Sequence, residues 1–88
     1  MDNFKLIYKI LMIYKEALWK EGVPDGTLLH ERLGVTDLHV RNIMILLRNA
    51  GHIVGTNGQS IITLAGLEYL ESNPQMEKIA GKREPYGY

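Results

Sequence analysis

The run from Leu33 to Ile53, LGVTDLHVRNIMILLRNAGHI, leaves this chain few ways to fold. Gly34 supplies the left-handed residue that ends one helix. Thr36 follows as a good N-cap for the next, and Asp37 favours that helix's positive N-terminal end. Val40, Ile43, Met44 and Leu47 then recur on one helical face, with Leu46 and Ala50 at its flank. Gly51 stops the helix just before the β-prone Ile53. The order is helix, tight turn, helix, strand: a helix-turn-helix running into a wing.

The flanking sequence completes that layout. Asp2 to Lys20 contains no Gly or Pro and reads as a first helix. Projected at about 100° per residue, only Lys5, Lys9, Glu16 and Lys20 form a coherent polar strip. Apolar side chains between Phe4 and Trp19 fill most of the remaining circumference, so the helix needs cover on two sides. The second cover is either the final helix or another subunit, and a homodimer would use Leu6, Ile10, Ile13 and Ala17. Gly22-Val23-Pro24-Asp25-Gly26 punctuates a loop, and Thr27 to Leu33 is a short second helix capped by Asp25 or Thr27. His52 to Thr63 reads as a hairpin, with Ile53-Val54 and Ile61-Ile62 as strands and Asn57-Gly58 as a type I′ turn. Ala65 to Ser72 is a fourth helix. Pro74, behind Ser72 or Asn73 as cap, opens a further helical segment through Met76, Ile79 and Ala80. Gly81 onward, GKREPYGY, reads as a frayed tail. The expected architecture is mainly α with a small β-hairpin. It is a winged helix-turn-helix with a three-helix core, a short two-stranded wing and a C-terminal helix, in one domain over 1–80 with a tail over 81–88.

Composition excludes several functions. A chain of 88 residues makes a single domain with a modest core. It has no cysteine, so disulfides and thiolate metal sites are excluded. His30, His39 and His52 match no common zinc spacing, so no metal and no cofactor are expected. Glu68 and Glu71 neighbour each other on the fourth helix as a solvated face. No phosphate loop, nucleophile elbow or triad order appears, so the chain reads as non-enzymatic. No signal peptide is expected: the early apolar run Ile10–Tyr14 is pinned between lysines, and Asp2 sits where a basic region belongs. No apolar run approaches the roughly 18 residues that span a bilayer. The expected location is the cytoplasm, without membrane association.

The chemistry of the third helix points to duplex DNA. Opposite its apolar face lie Arg41, Asn42, Ile45, Arg48 and Asn49, with Leu38 near its start. Arg can read guanine bidentately and Asn can read adenine, each pair discriminating by about 1–3 kcal/mol. The expected roles are base reading by Arg41, Asn42 and Ile45, and phosphate contact by Thr36, Arg32 and Arg48. The surrounding charge is weak. Lys plus Arg and Asp plus Glu both number 10, and no Lys or Arg occurs between Arg48 and Lys78. One copy with three helix-turn-helix arginines would bind weakly at physiological salt, and a dimer would double the contacts. Net neutrality, a cation-free wing and the apolar Leu38 and Ile45 motivate the alternative, a protein-interaction module that binds no DNA.

Leu33-Gly34-Val35-Thr36, Val40-Arg41-Asn42, Met44, Leu47 and Gly51-x-Ile53 follow the order of many bacterial winged-helix regulators. A broader likeness takes in MDNFKLIYKIL at the start, LGV, GHIVG and ITLAGLEYLESN. On these segments the chain resembles the YjcQ-like family, small winged-helix proteins of Gram-positive bacteria and their prophages. The resemblance implies the fold and a prophage setting and no particular activity; the expected role, a transcriptional regulator, rests on the third helix, with a phage structural or assembly part as a further alternative. The stretch from Gly55 to Ile61 is short for that pattern, with little beyond the Asn-Gly turn.

Overall fold

The computed structural model describes residues 2–20, 29–55 and 60–74. The expected loop at Gly22–Gly26, the caps Asp25 and Thr27, the Asn57-Gly58 turn, the segment with Met76, Ile79 and Ala80, and the tail over 81–88 lie outside the described residues. Six elements follow in order: α1 (Asn3–Glu16), α2 (Leu29–Leu33), α3 (Asp37–Asn49), β1 (Ile53–Val54), β2 (Ile61–Ile62) and α4 (Leu64–Ser72). The strands pair antiparallel, with Ile53 opposite Ile62 and Val54 opposite Ile61. This is a small winged-helix fold. Among the described residues no helix is long and apolar enough to cross a membrane.

Each helix end has a local cause. The Asp2 carboxylate accepts from the Phe4 amide at 2.6 Å and starts α1. Thr36 Oγ1 accepts from the His39 amide at 3.1 Å and starts α3. Gly34 at φ +71° and Gly51 at φ +81° end α2 and α3 in the left-handed conformation. At Gly51 the paired bonds of a Schellman cap form: Gly51 N–H to the Arg48 carbonyl (3.0 Å) and His52 N–H to the Leu47 carbonyl (2.9 Å). The same pair recurs at Gly34 and Val35. The first helix stops at Glu16 and not at Lys20. Beyond it Leu18 and Trp19 are exposed, and their amides bond three residues back, to Lys15 and Glu16. With these side chains unpacked among the described residues, the chain tightens into turns.

The core runs through all of these elements. Leu6, Ile10 and Leu11 of α1, Leu29 of α2, Val40, Ile43 and Leu47 of α3, and Ile53 and Ile62 of the hairpin are buried together. Helix α1 packs against α3, α4 and β2, so α4 supplies the second cover that its apolar circumference requires. Leu6 and Ile10 are 0% exposed and Ile13 is 4% exposed within the single chain. The homodimer surface expected on Leu6, Ile10, Ile13 and Ala17 is corrected accordingly. Those three side chains are already spent on the chain's own core, and only Ala17, the half-buried C-cap of α1, is left partly open.

The hairpin is held to α4 by close backbone approach. Thr63 N–H bonds the His52 carbonyl at 3.0 Å. Its hydroxyl donates to the Gly51 carbonyl and accepts from the Gly66 amide, capping α4. A Cβ at Gly66 would lie 2.6 Å from the His52 carbonyl oxygen and 2.6 Å from Ile62 Cγ1. The oxygen belongs to backbone and cannot swing aside. Gly66→Ala is therefore expected to destabilise the fold by about 1–3 kcal/mol, lowering Tm by roughly 4–8 °C per kcal/mol. A thermal melt with an unchanged Tm would contradict the tight contact of α4 with the hairpin.

Candidate nucleic-acid interface

The exposed side of α3 follows from its own periodicity. Val40, Ile43, Met44 and Leu47 turn inward, so residues half a turn away must face out. Arg41, Asn42, Ile45 and Asn49 are all exposed there, together with Leu38. Five of the seven residues expected to meet DNA are thus brought to one place, since Thr36 caps the same helix at its exposed N-terminus. Arg32 is exposed on α2. A hydrogen bond between His39 Nε2 and Asn3 Oδ1 (2.7 Å) ties the start of α3 to the start of α1.

The two arginines of α3 differ in what they can do. Arg41 lies on the open surface, ion-paired with Asp37 one turn earlier. Such an exposed i,i+4 pair contributes only about 0.3–0.5 kcal/mol. A bidentate guanine contact discriminates by about 1–3 kcal/mol, so Arg41 is free to leave Asp37 for a base. Arg48 is half-buried and points to the hairpin. Its Nε donates to the Gly55 carbonyl at 3.1 Å, and a terminal guanidinium nitrogen donates to Ser60 Oγ at 3.0 Å. Hydrogen bonds involving a charged partner contribute about 1.5–3 kcal/mol each, which favours retention over release. The phosphate role expected of Arg48 is therefore corrected to a contact within the chain. Gly55 sits at φ +106°, a backbone conformation that glycine tolerates.

Exposed apolar residues occur on α3 and on the hairpin. Leu38 is 65% exposed and Ile45 48%. On the hairpin, Val54 and Ile61 stand opposite each other with 55% and 48% of their surface exposed, while Ile53 and Ile62 point inward. Strand alternation makes that outward pair readable from sequence once the inward pair is fixed. The Arg48 bonds had no such signal, because nothing in residue spacing brings position 48 to both 55 and 60. The isolated Gly66 in a helical pattern was a signal of close packing.

Among the histidines, His39 bonds Asn3 and His52 packs on an aromatic ring. His52 rests tilted on Tyr69, with ring centroids 5.4 Å apart. Among the described residues no group of three or more His, Cys, Asp or Glu could hold a metal ion. An open cleft between α1 and α4 is lined by Tyr8, Met12, Lys15, Leu70, Glu71 and Pro74, away from the α3 face.

A family model described as YjcQ protein matches residues 8–83, most of the chain. No curated protein and no solved structure matches it.

The cap that presents the α3 face can be tested alone. Thr36→Ala removes the acceptor for the His39 amide and is expected to cost about 1 kcal/mol, with Thr36→Ser close to wild type. Urea denaturation measures both, and equal stability of Thr36→Ala and wild type would show that the cap contributes nothing.

Proposed function

We propose that this chain, which belongs to the YjcQ family, is a small sequence-specific DNA-binding protein, a transcriptional regulator in a prophage setting and not an enzyme. The observation that carries the reading is the exposed α3 face, where Arg41, Asn42, Ile45 and Asn49 stand together behind the Thr36 cap. Arg and Asn are the side chains that match guanine and adenine edges in the major groove. Ile45 and Leu38 suit thymine methyl groups. Thr36, Arg32 and the amides that open α3 serve phosphate and set the register. Affinity per copy is low, because the chain is neutral overall and Arg48 is held by the hairpin. Binding as a homodimer doubles the phosphate contacts.

One observation favours a second reading, a protein partner on the same face without DNA: the exposed apolar side chains Leu38 and Ile45 of α3. The two readings diverge in their salt dependence. Under the DNA reading, duplex DNA is retarded at about 50 mM salt and released steeply as salt rises. Arg41→Ala then costs about 1–3 kcal/mol and relaxes specificity at one base pair. Asp37→Asn, which frees Arg41, tightens binding. Gel retardation and fluorescence anisotropy measure these effects. No retardation of any duplex at low salt would overturn the DNA reading. Capture of a protein that Ile45→Asp abolishes would replace it with the second.

A further inference from the structure

The hairpin is too small to hold itself. Each strand has two residues, and an isolated two-stranded hairpin is marginal in water. Thr63 N–H bonds the His52 carbonyl at its base. By antiparallel alternation Val54 and Ile61 form the next hydrogen-bonded pair, and the described pairing ends there. Just beyond it, one side chain reaches both strands. Arg48 bonds the carbonyl of Gly55, the residue after β1, and the hydroxyl of Ser60, the residue before β2. Arg48 itself belongs to the last turn of α3, three residues beyond Ile45. The same guanidinium thus closes the neck of the wing and fastens it to the helix with the candidate reading face.

We propose that Arg48 is the positioning residue of this domain. Its planar fork fixes the attitude of the wing to the α3 face, and this use withholds its charge from phosphate. The task needs two donors at a set angle, which an arginine supplies and a lysine does not. Lysine keeps the charge, so charge and geometry can be separated. The clamp stands on the hydrogen bonds alone, and its effect on DNA affinity rests on the function proposed above.

The test uses the full chain with Arg48→Lys, Arg48→Ala and Ser60→Ala. Ser60→Ala leaves the buried core untouched and guards against loss of fold in the other two. In the free protein, amide hydrogen exchange at Val54 and Ile61 is expected to accelerate by about tenfold or more in both Arg48 variants, and less in Ser60→Ala. Leu6 and Leu11 in α1 keep their wild-type protection. In DNA titrations, Arg48→Lys is expected to lose affinity as Arg48→Ala does, with the wild-type salt slope in both. A phosphate ligand would instead leave Arg48→Lys near wild type and lower the Arg48→Ala slope by about 0.9. That pattern, or unchanged exchange at Val54 and Ile61 in Arg48→Lys, overturns the proposal. If wild type retards no duplex, the DNA reading falls and the exchange result alone decides the clamp.

Discussion

Two consecutive residues, Gly51 and His52, carry the backbone bonds on which the later half of the fold depends. Their amides end α3 by bonding Arg48 and Leu47, and their carbonyls receive the Thr63 hydroxyl and amide. The His52 carbonyl also sets how close α4 can come, through the missing side chain of Gly66. Helix α3, the hairpin and α4 therefore meet at one backbone corner. The left-handed φ of Gly51 makes that corner possible. Leaving α3 in this direction, the chain turns Ile53 and Ile62 into the core.

The corner also determines which charges remain available. With the hairpin folded back beside α3, the half-buried Arg48 finds acceptors within the chain. Arg41 has only the exposed carboxylate of Asp37, a contact weaker than those that DNA offers. Two arginines on one helix thus have opposite fates, decided by what lies beside each. The outcome is a face with few polar groups, exposed apolar side chains and little bulk positive charge.

Much of this was legible in the sequence, for reasons that differ by element. Gly34, Thr36 and Gly51 act locally, so the ends of α2 and α3 could be read from them. The α3 core face followed from simple periodicity, and the two strands from their β-prone runs. The extent of α1 was not legible. Its sequence is helix-competent through Lys20, yet the helix ends at Glu16, and beyond it Leu18 and Trp19 are exposed among the described residues. The same missing information leaves the cover of Leu6, Ile10 and Ile13 open, since a helix that is apolar on most sides does not say whether α4 or another copy covers it. Arg48 was read as a phosphate ligand because it lies opposite the core face, and a long side chain can reach neighbours that helical projection does not include. Thr63 was legible as a strand end, but its capping of α4 depends on the hairpin's return. The candidate face itself, Arg41, Asn42, Ile45 and Asn49, was readable in full, since exposure on a helix is the complement of its buried stripe.

On the proposed reading, the outer face of α3 meets duplex DNA, and titration of isotope-labelled protein with a duplex at low salt, followed by NMR chemical shifts, tests this residue by residue. The expected result is perturbation concentrated at Thr36, Arg41, Asn42, Ile45 and Asn49, including the side-chain amides of both asparagines. Perturbation confined to the lysines of α1, or none at any residue, would contradict it.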